Sequence, residues 1–209
     1  MTGGGAHPEP PADLHARPLT IEPAPGPWRR AHALRNDPLY FGTNRSERFD
    51  DPRGLFGVCY VGDALACAFI ETVTTVAPLI AGGPRIIPVG FLEQRGWAEV
   101  TLLGPAPLRL IDISGPGLAA LGADADLSSC RDYGVCQRWS RALHDHPAAA
   151  DGLLYRARHD PALLSVALFG DRVAGQIAMA RRGAWADPAN QTHLTTILGR
   201  YRFAEQSRG

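Results

Sequence analysis

The chain has 209 residues, which suits one ordinary domain with a sizeable core, although two small domains would also fit. Its 21 basic and 21 acidic residues balance, so no overall positive charge favours nucleic acid or an anionic membrane as a partner. All 21 basic residues are arginine, and the absence of lysine excludes Schiff-base chemistry and any phosphate loop built around a lysine.

The N-terminal stretch is rich in glycine, proline and alanine and shows no hydrophobic period. This composition predicts a flexible tail over residues 1–26, followed by one domain over residues 27–209. The chain shows neither a basic-then-apolar secretory signal nor a run of about eighteen apolar residues. None of the cysteines forms a C-x-x-C pair: Cys59, Cys67, Cys130 and Cys136. That spacing favours free, mostly buried thiols in a reducing compartment, so we expect a cytoplasmic protein.

The first ordered segment is expected near PWRRAHAL, and the turn-rich stretch DPLYFGTNRSERFDDPRG after it predicts a long loop. The apolar run LFGVCYVG lies between glycines and predicts a buried strand. Asp63 follows this strand and is predicted to cap a helix over ALACAFIETV. Leu65 and Phe69 lie four residues apart on the expected core face, while Glu71 shares another face with two alanines.

The second half of the chain mixes predicted strands and helices. WAEVTLL and LRLIDIS predict strands, LAALGA predicts a short helix, and YGVCQRWSRALHDH predicts an amphipathic helix. DGLLYRAR and LLSVALFGDR predict two more strands, and QTHLTTILGRYRFA predicts a final helix. Because these elements follow no regular βαβ repeat, the sequence favours an α+β fold.

Several familiar catalytic motifs are absent from the sequence. It has no glycine-rich dinucleotide or phosphate loop, no nucleophile elbow and no HExxH zinc motif. His144 and His146 offer two metal ligands, but a metal site needs further ligands in a fixed geometry. We therefore interpret the two histidines as a surface helix end and expect no metal.

A candidate site forms around the predicted strand and helix over residues 55–73. Arg29 and Arg48 precede this unit, and a strand followed directly by a helix brings Tyr60 and Glu71 to one rim. Arginines hold a pyrophosphate, an aromatic ring stacks on a heterocycle, and a carboxylate stabilises a positively charged, sugar-like transition state. The set suits a nucleotide, although such residues are common and Glu71 fits a solvated helix end equally well.

Three segments in this order resemble the RES domain family, which is named after an arginine, a glutamate and a serine. They read WRRAHA…PLYFG, then RFDDPRGLFGVCYVGDALACAFIET, and much later DGLLYRARHDPALLSVALF. The resemblance runs from about Trp28 to Phe169 and identifies residues 27–209 as a RES-type domain. It implies a fold similar to that of ADP-ribosyltransferase toxins.

The resemblance also implies an activity and a partner. RES proteins degrade NAD+ at the nicotinamide–ribose bond, with phosphate or water as the acceptor, and many are toxins paired with an Xre-type antitoxin. Growth arrest by NAD+ depletion would follow. Carried onto this chain, Glu71 would orient the nicotinamide ribose and stabilise the developing positive charge. Arg29 and Arg48 would bind the pyrophosphate or an attacking phosphate, and Tyr60 would pack on the ligand.

The chain departs from the family pattern at one position. Ala157 stands in YRAR where the family's Y-R-S-R segment carries its serine, so it occupies that serine's place in the expected binding site. Ser165 lies eight residues later and does not match the motif position, while Arg158 and His159 either line the pocket or form a charged turn. A lost hydroxyl costs about 1–3 kcal/mol where its partner is left buried and unpaired.

Three accounts of Ala157 stay open: a weakened relative, a chemistry that does not need the hydroxyl, or an alanine introduced to tame a toxic product. Two alternatives to NAD+ breakdown stay open as well. The first is a catalytically impaired RES-fold module that binds a nucleotide or another protein, which Ala157 supports. The second is an enzyme that transfers ADP-ribose to a protein target.

Overall fold

The computed structural model describes residues 8–74, 77, 85–129 and 132–206, so residues 1–7 of the expected tail and the Cys130 thiol lie outside the described part. Its strands are β1 (Ile21–Ala24), β2 (Trp28–Ala33), β3 (Val58–Gly62), β4 (Arg85–Ile87), β5 (Arg95–Leu102), β6 (Leu108–Asp112), β7 (Gly152–Arg156), β8 (Leu164–Phe169), β9 (Ile177–Ala184) and β10 (Phe203–Glu205). Its helices are α1 (Leu65–Val73), α2 (Val89–Gln94), α3 (Pro116–Ala120), α4 (Asp126–Ser129), α5 (Tyr133–His144), α6 (Gly170–Val173) and α7 (Gln191–Tyr201). Two short 3-10 turns cover Leu14–Ala16 and Pro188–Asn190.

Most of these strands form one sheet in the order β1-β6-β7-β8-β3-β2-β5-β9, while β10 pairs with β4 in a separate small sheet. In the large sheet β6 and β7 run parallel, and the other neighbouring pairs are antiparallel. Helices α3, α4 and α5 connect the parallel pair, because parallel strands need a long crossover. The mixed sheet with its helices in irregular order confirms the predicted α+β fold as a single domain.

Strand β3 shows how the core is divided by the pleat of the sheet. Val58 packs in the cluster that contains Trp139 of α5, whereas Cys59 and Val61 pack in the cluster on the opposite side. This alternation follows from the two-residue period of a strand. Tyr60 therefore lies on the same face as Val58, against the α5 cluster.

Helix α1 and helix α7 share a third buried cluster. Phe69, Ile70 and Val73 of α1 pack with Leu194 and other residues of α7. The ring of Phe69 meets Trp185 edge-on at a centroid distance of 4.9 Å. The predicted core position of Phe69 is confirmed, and the two helices are held together by one apolar core.

Two local predictions are wrong. Ala64, not Asp63, is the N-cap of α1, and no side chain caps it. The Asp63 backbone N–H instead donates to the carbonyl of Leu164, which ties the turn to β8. The tail prediction also fails for residues 8–26, because β1 pairs with β6 and Leu14 is buried at 3% exposure. Pairing of β1 with the distant strand β6 orders this segment, although its glycine- and proline-rich composition indicated a flexible tail.

The described cysteines are free and buried: Cys59, Cys67 and Cys136. This confirms the prediction of free thiols for those positions. Across the described ranges, no helix is both long and apolar enough to cross a membrane.

Candidate active site

A cleft of about 620 Å³ opens beside α1 and β3, and the loop before β3 and the β7–β8 hairpin complete its walls. Four of the residues predicted from the sequence line it together: Arg29, Arg48, Tyr60 and Glu71. The short connection from β3 to α1 brings the last two to one rim, as the sequence indicated. Arg29 joins them because β2 lies antiparallel to β3, with Arg29 opposite Gly62.

Gly62 is required where β3 turns into α1. A Cβ atom at this position would lie 2.7 Å from the Cβ of Cys67 and 3.1 Å from the backbone nitrogen of Ala68. Only glycine allows the first turn of α1 to approach the strand so closely. Because Phe69 and Ile70 anchor α1 in the core, the helix holds Ala68 and Glu71 against the cleft.

The Glu71 carboxylate is placed in a partly desolvated, cationic environment. Its Oε1 accepts a hydrogen bond of 3.0 Å from the backbone N–H of His159. Burial raises the pKa of Glu71, and the His159 N–H together with the charges of Arg48 and Arg158 opposes that rise. A carboxylate held in this way gains most from a positively charged group that enters the cleft.

Arg48 is the most deeply buried cation of the cleft, with 8% exposure. Its guanidinium lies 5.3 Å from the ring centroid of Tyr133. Among the described residues, no side chain or carbonyl accepts a hydrogen bond from its buried Nη1. A buried donor without an acceptor is costly, and an anion in the cleft would satisfy it.

The turn that carries Arg48 is fixed from two sides. The Tyr60 hydroxyl accepts the Phe49 N–H and donates to Asp50 Oδ1, both at 2.9 Å. From α5, the Ser140 hydroxyl donates to the Phe49 carbonyl at 2.7 Å. Burial raises the pKa of Tyr60 well above its usual value, so the phenol stays protonated and keeps donating. The Tyr60 hydroxyl is thus engaged in holding the Arg48 turn, and its ring is left to face the cleft.

Arg29 is more exposed and already has partners. Its Nη1 donates to the Pro27 carbonyl at 2.6 Å, and its Nη2 lies 3.5 Å from a carboxylate oxygen of Glu99. The sequence reasoning missed two arginines that line the same cleft, Arg30 and Arg95. Arg158, for which a place in the pocket was one of two open interpretations, lines the cleft as well. Five arginines and three acidic residues line the cleft, so cations outnumber anions there, which suits a ligand with several phosphate charges.

Ala157 is not among the described residues that line the cleft. It is buried at 1% exposure, and its backbone N–H donates to the Leu163 carbonyl at 3.0 Å. Ser165 lines the cleft instead, with its hydroxyl 3.3 Å from the Cys67 sulfur. Ser165 faces the cleft because it lies opposite Gly62 and Tyr155 in the sheet, and both of these residues also line the cleft. The alternation of side chains along a strand could have indicated this position from the sequence.

Cys67 offers no nucleophile to this site. Burial raises the pKa of its thiol to about 12, so the thiolate is scarcely present at neutral pH. The neighbouring Tyr155 hydroxyl also has a raised pKa because it is buried, and the Glu71 charge adds to the effect.

Arg158 and His159 both line the cleft. Burial and the nearby arginines lower the pKa of His159, so its ring is neutral at pH 7.

His144 and His146 each use both ring nitrogens within the protein. His144 contacts Asp145 and Asp171 and stacks on Phe56 at 3.8 Å between ring centroids. His146 Nε2 lies 3.1 Å from the Arg17 carbonyl, and its Nδ1 accepts the Ala148 N–H. Within the described ranges, no group of three or more histidine, cysteine or acidic side chains is arranged to hold a metal ion.

Comparison with known proteins places this chain in a family. A search of curated protein sequences finds no match. A chain from the crystal structure of the M. tuberculosis MbcT–MbcA toxin–antitoxin complex aligns with a TM-score of 0.61 and 19% sequence identity. The alignment covers 88% of this chain and 94% of that one, so the two share a fold. The sequence profile of the RES domain matches residues 27–206, and the chain therefore belongs to the RES domain family.

Proposed function

We propose that this protein is the toxin of a toxin–antitoxin pair and that it cleaves the nicotinamide–ribose bond of NAD+. One observation carries the proposal: the partly desolvated carboxylate of Glu71 and the buried, unpaired Nη1 of Arg48 line one cleft of about 620 Å³. A carboxylate for a sugar cation and guanidinium groups for phosphates are the two groups that such a cleavage needs. Membership of the RES family and the fold shared with a chain of a toxin–antitoxin complex give further support.

In this reaction the bond between the ribose C1′ and the nicotinamide nitrogen breaks. Its electron pair returns to the ring, which leaves as neutral nicotinamide and needs no general acid. Positive charge develops on the ribose, and the Glu71 carboxylate stabilises it. An oxygen of phosphate or water then bonds to C1′. A phosphate acceptor gives a phosphorylated ADP-ribose, while water gives ADP-ribose and releases a proton.

The arginines bind and orient the rest of the substrate. Arg48 holds a pyrophosphate oxygen or the acceptor phosphate through its unpaired Nη1. Arg29 keeps its Glu99 partner and adds charge at the rim. The Tyr60 ring packs on the ligand while its hydroxyl keeps the Arg48 turn in place. No metal is needed, because the leaving group is already cationic.

The proposal includes an antitoxin as partner, of the Xre type that the family resemblance implies. Such a partner would cover the cleft and inhibit NAD+ cleavage by the toxin. Since the substrate is NAD+, the protein would act in the cytoplasm, where depletion of NAD+ arrests growth.

Ala157 supports a second candidate, a catalytically impaired module that retains the nucleotide cleft. The position is buried at 1% exposure, and its alanine has no hydroxyl to offer a ligand or a neighbouring group. In that case NAD+ would bind without being cleaved.

Nicotinamide release from NAD+ by the purified chain, with and without phosphate, tests these candidates. Release by the chain as given supports the toxin, and faster release with phosphate identifies phosphate as the acceptor. The variant Ala157→Ser serves as the matched comparison. Activity only in the serine variant supports the impaired module, and silence in both contradicts the NAD+-cleaving proposal. NAD+ labelled in the ADP-ribose part tests protein ADP-ribosylation, which would leave the label on protein.

A further inference from the structure

The β7–β8 hairpin, residues 157–163, orients Glu71 from outside its own helix. Its backbone N–H at His159 donates to Glu71 Oε1 at 3.0 Å. Inside the hairpin, the Ala157 N–H donates to the Leu163 carbonyl and the Leu163 N–H donates to the Asp160 carbonyl. These bonds shape the hairpin, but they do not fix where its tip lies relative to α1.

The C-terminal helix supplies that constraint. The Tyr201 hydroxyl, in the last turn of α7, donates to Asp160 Oδ2 at 2.7 Å. Arg200 Nη2 donates to the same oxygen at 2.8 Å. The Tyr201 hydrogen bond lowers the pKa of Asp160, so this acceptor is charged at neutral pH. A hydrogen bond to a charged acceptor is among the stronger single contacts in a protein.

Helices α1 and α7 are also fixed to each other. Phe69 and Ile70 of α1 pack in the same buried cluster as Leu194 and Ile197 of α7, and Tyr201 packs against that cluster. The hairpin tip is therefore held between two elements whose relative position is set by an apolar core. One side of the hairpin contacts Glu71 and the other contacts Tyr201.

We propose that Tyr201 is a positioning residue for Glu71: its bond to Asp160 holds the hairpin so that the His159 N–H meets the Glu71 carboxylate. The catalytic consequence rests on the proposed NAD+ cleavage, while the geometric statement does not. Without the bond from Tyr201 to Asp160, the hairpin tip moves away from α1, and Glu71 loses the hydrogen bond from the His159 N–H.

The environment of Glu71 gives this positioning a measurable signature. Charged and titratable groups face it from every neighbouring element: Arg48 before β3, Cys67 on α1, Tyr155 on β7 and Arg158 on the hairpin. Burial raises the pKa of Glu71, and the His159 N–H opposes that rise more than any other single group. Loss of this donor raises the pKa of Glu71 further, because the anion is then less well solvated.

The test is a titration of Glu71 by ¹³C NMR in the full chain with labelled glutamate, using Glu71→Gln to assign the signal. We expect Tyr201→Phe, which removes only a hydroxyl, to raise the pKa of Glu71. In the NAD+ assay, kcat should fall by about three- to tenfold, the effect of one hydrogen bond, and KM should change by less than about twofold. An unchanged Glu71 pKa in Tyr201→Phe overturns the proposal.

Two further variants separate positioning from general loss of structure. Asp160→Ala removes the acceptor from the hairpin side and should shift the Glu71 pKa in the same direction, whereas Asp160→Asn keeps an acceptor oxygen and should shift it less. Arg200→Gln removes the more exposed partner of the same carboxylate and should have a smaller effect than Tyr201→Phe. Equal shifts in Tyr201→Phe and Arg200→Gln would contradict a specific role of Tyr201.

The two proposals fail in different ways. If the wild-type chain releases no nicotinamide but Tyr201→Phe shifts the Glu71 pKa, NAD+ cleavage is contradicted and the positioning role is supported. If the wild type is active and the Glu71 pKa does not move, the positioning role is contradicted alone.

Discussion

The two walls of the cleft hold their key charges by different means. On one wall, Arg48 sits in a turn whose carbonyls and amides are bonded to Tyr60 of β3 and to Ser140 and Gln137 of α5. On the other wall, Glu71 sits on a helix anchored in the core, but its hydrogen-bond donor, His159, lies on an exposed hairpin. The cation is thus fixed by buried side chains, while the carboxylate depends on a surface loop.

This difference has an electrostatic reason. A buried guanidinium nitrogen without an acceptor, such as Arg48 Nη1, stays in place only where the surrounding turn cannot rearrange to expose it. The hydrogen bonds around Phe49 prevent that rearrangement. A carboxylate at the rim is partly hydrated, so one backbone donor suffices to tune its charge. We therefore expect changes on the Arg48 wall to affect both stability and binding, and changes on the Glu71 wall to affect turnover.

The largest effect is expected for Glu71→Gln, which keeps the shape and removes the charge. The kcat of NAD+ cleavage should fall by about a hundredfold or more, as for other groups that stabilise developing charge. The KM for NAD+ should change much less. Nicotinamide release measures both constants, with Glu22→Gln on exposed β1 as the matched control. Unchanged turnover would show that Glu71 has no role in the mechanism. It would also contradict the expectation that changes on the Glu71 wall affect turnover.

On the opposite wall, Arg48→Met should act on binding. It keeps an apolar stem over Tyr133 and removes the donor that faces the cleft. The loss of a charged hydrogen bond to phosphate should raise the KM for NAD+, or for phosphate, by about 10- to 100-fold. Arg53→Met, five residues on and exposed, is the control. A fall in kcat with an unchanged KM would mean that Arg48 acts on the transition state instead.

A smaller, mixed effect is expected for Tyr60→Phe. The change leaves the Phe49 N–H without its acceptor and Asp50 Oδ1 without the donor that Tyr60 supplies. The free energy of unfolding should fall by about 1–3 kcal/mol, and KM should rise less than in Arg48→Met. Urea unfolding measures the stability, with Tyr40→Phe at a 54% exposed position as the reference. Equal stability of the two variants would contradict the role of Tyr60 in holding the turn.

The smallest effect concerns pH and stability. Burial raises the folded-state pKa of Glu71, so the folded chain binds this proton more tightly than the unfolded chain. The resulting stabilisation is complete below the unfolded pKa and is lost as pH rises through the folded pKa. Glu71→Gln should therefore raise Tm by a few degrees at neutral pH but not at acidic pH. Thermal unfolding across pH checks this, and a lower Tm of the variant at neutral pH would contradict it.

Short-range patterns were sufficient for the elements that build the cleft. The apolar run between glycines predicted β3, and the spacing of Val135, Trp139 and Leu143 predicted α5. Because β3 passes directly into α1, the sequence also predicted that Tyr60 and Glu71 share a rim. These features depend on residues a few positions apart, whose relation is fixed by helix and strand geometry.

What the sequence alone could not supply depends on pairing between distant segments. Only the sheet order brings Arg29 beside Gly62, places Ser165 rather than Ala157 at the cleft, and makes a strand of residues that composition assigned to a tail. The bond from Tyr201 to Asp160 spans 41 positions and has no local signal. By itself, the sequence determined the α+β class, the family resemblance and three charged residues of the cleft, Arg29, Arg48 and Glu71. The tertiary structure decided which hydroxyl faces the cleft and what holds each charge, because those contacts form only when the sheet and the shared core of α1 and α7 assemble.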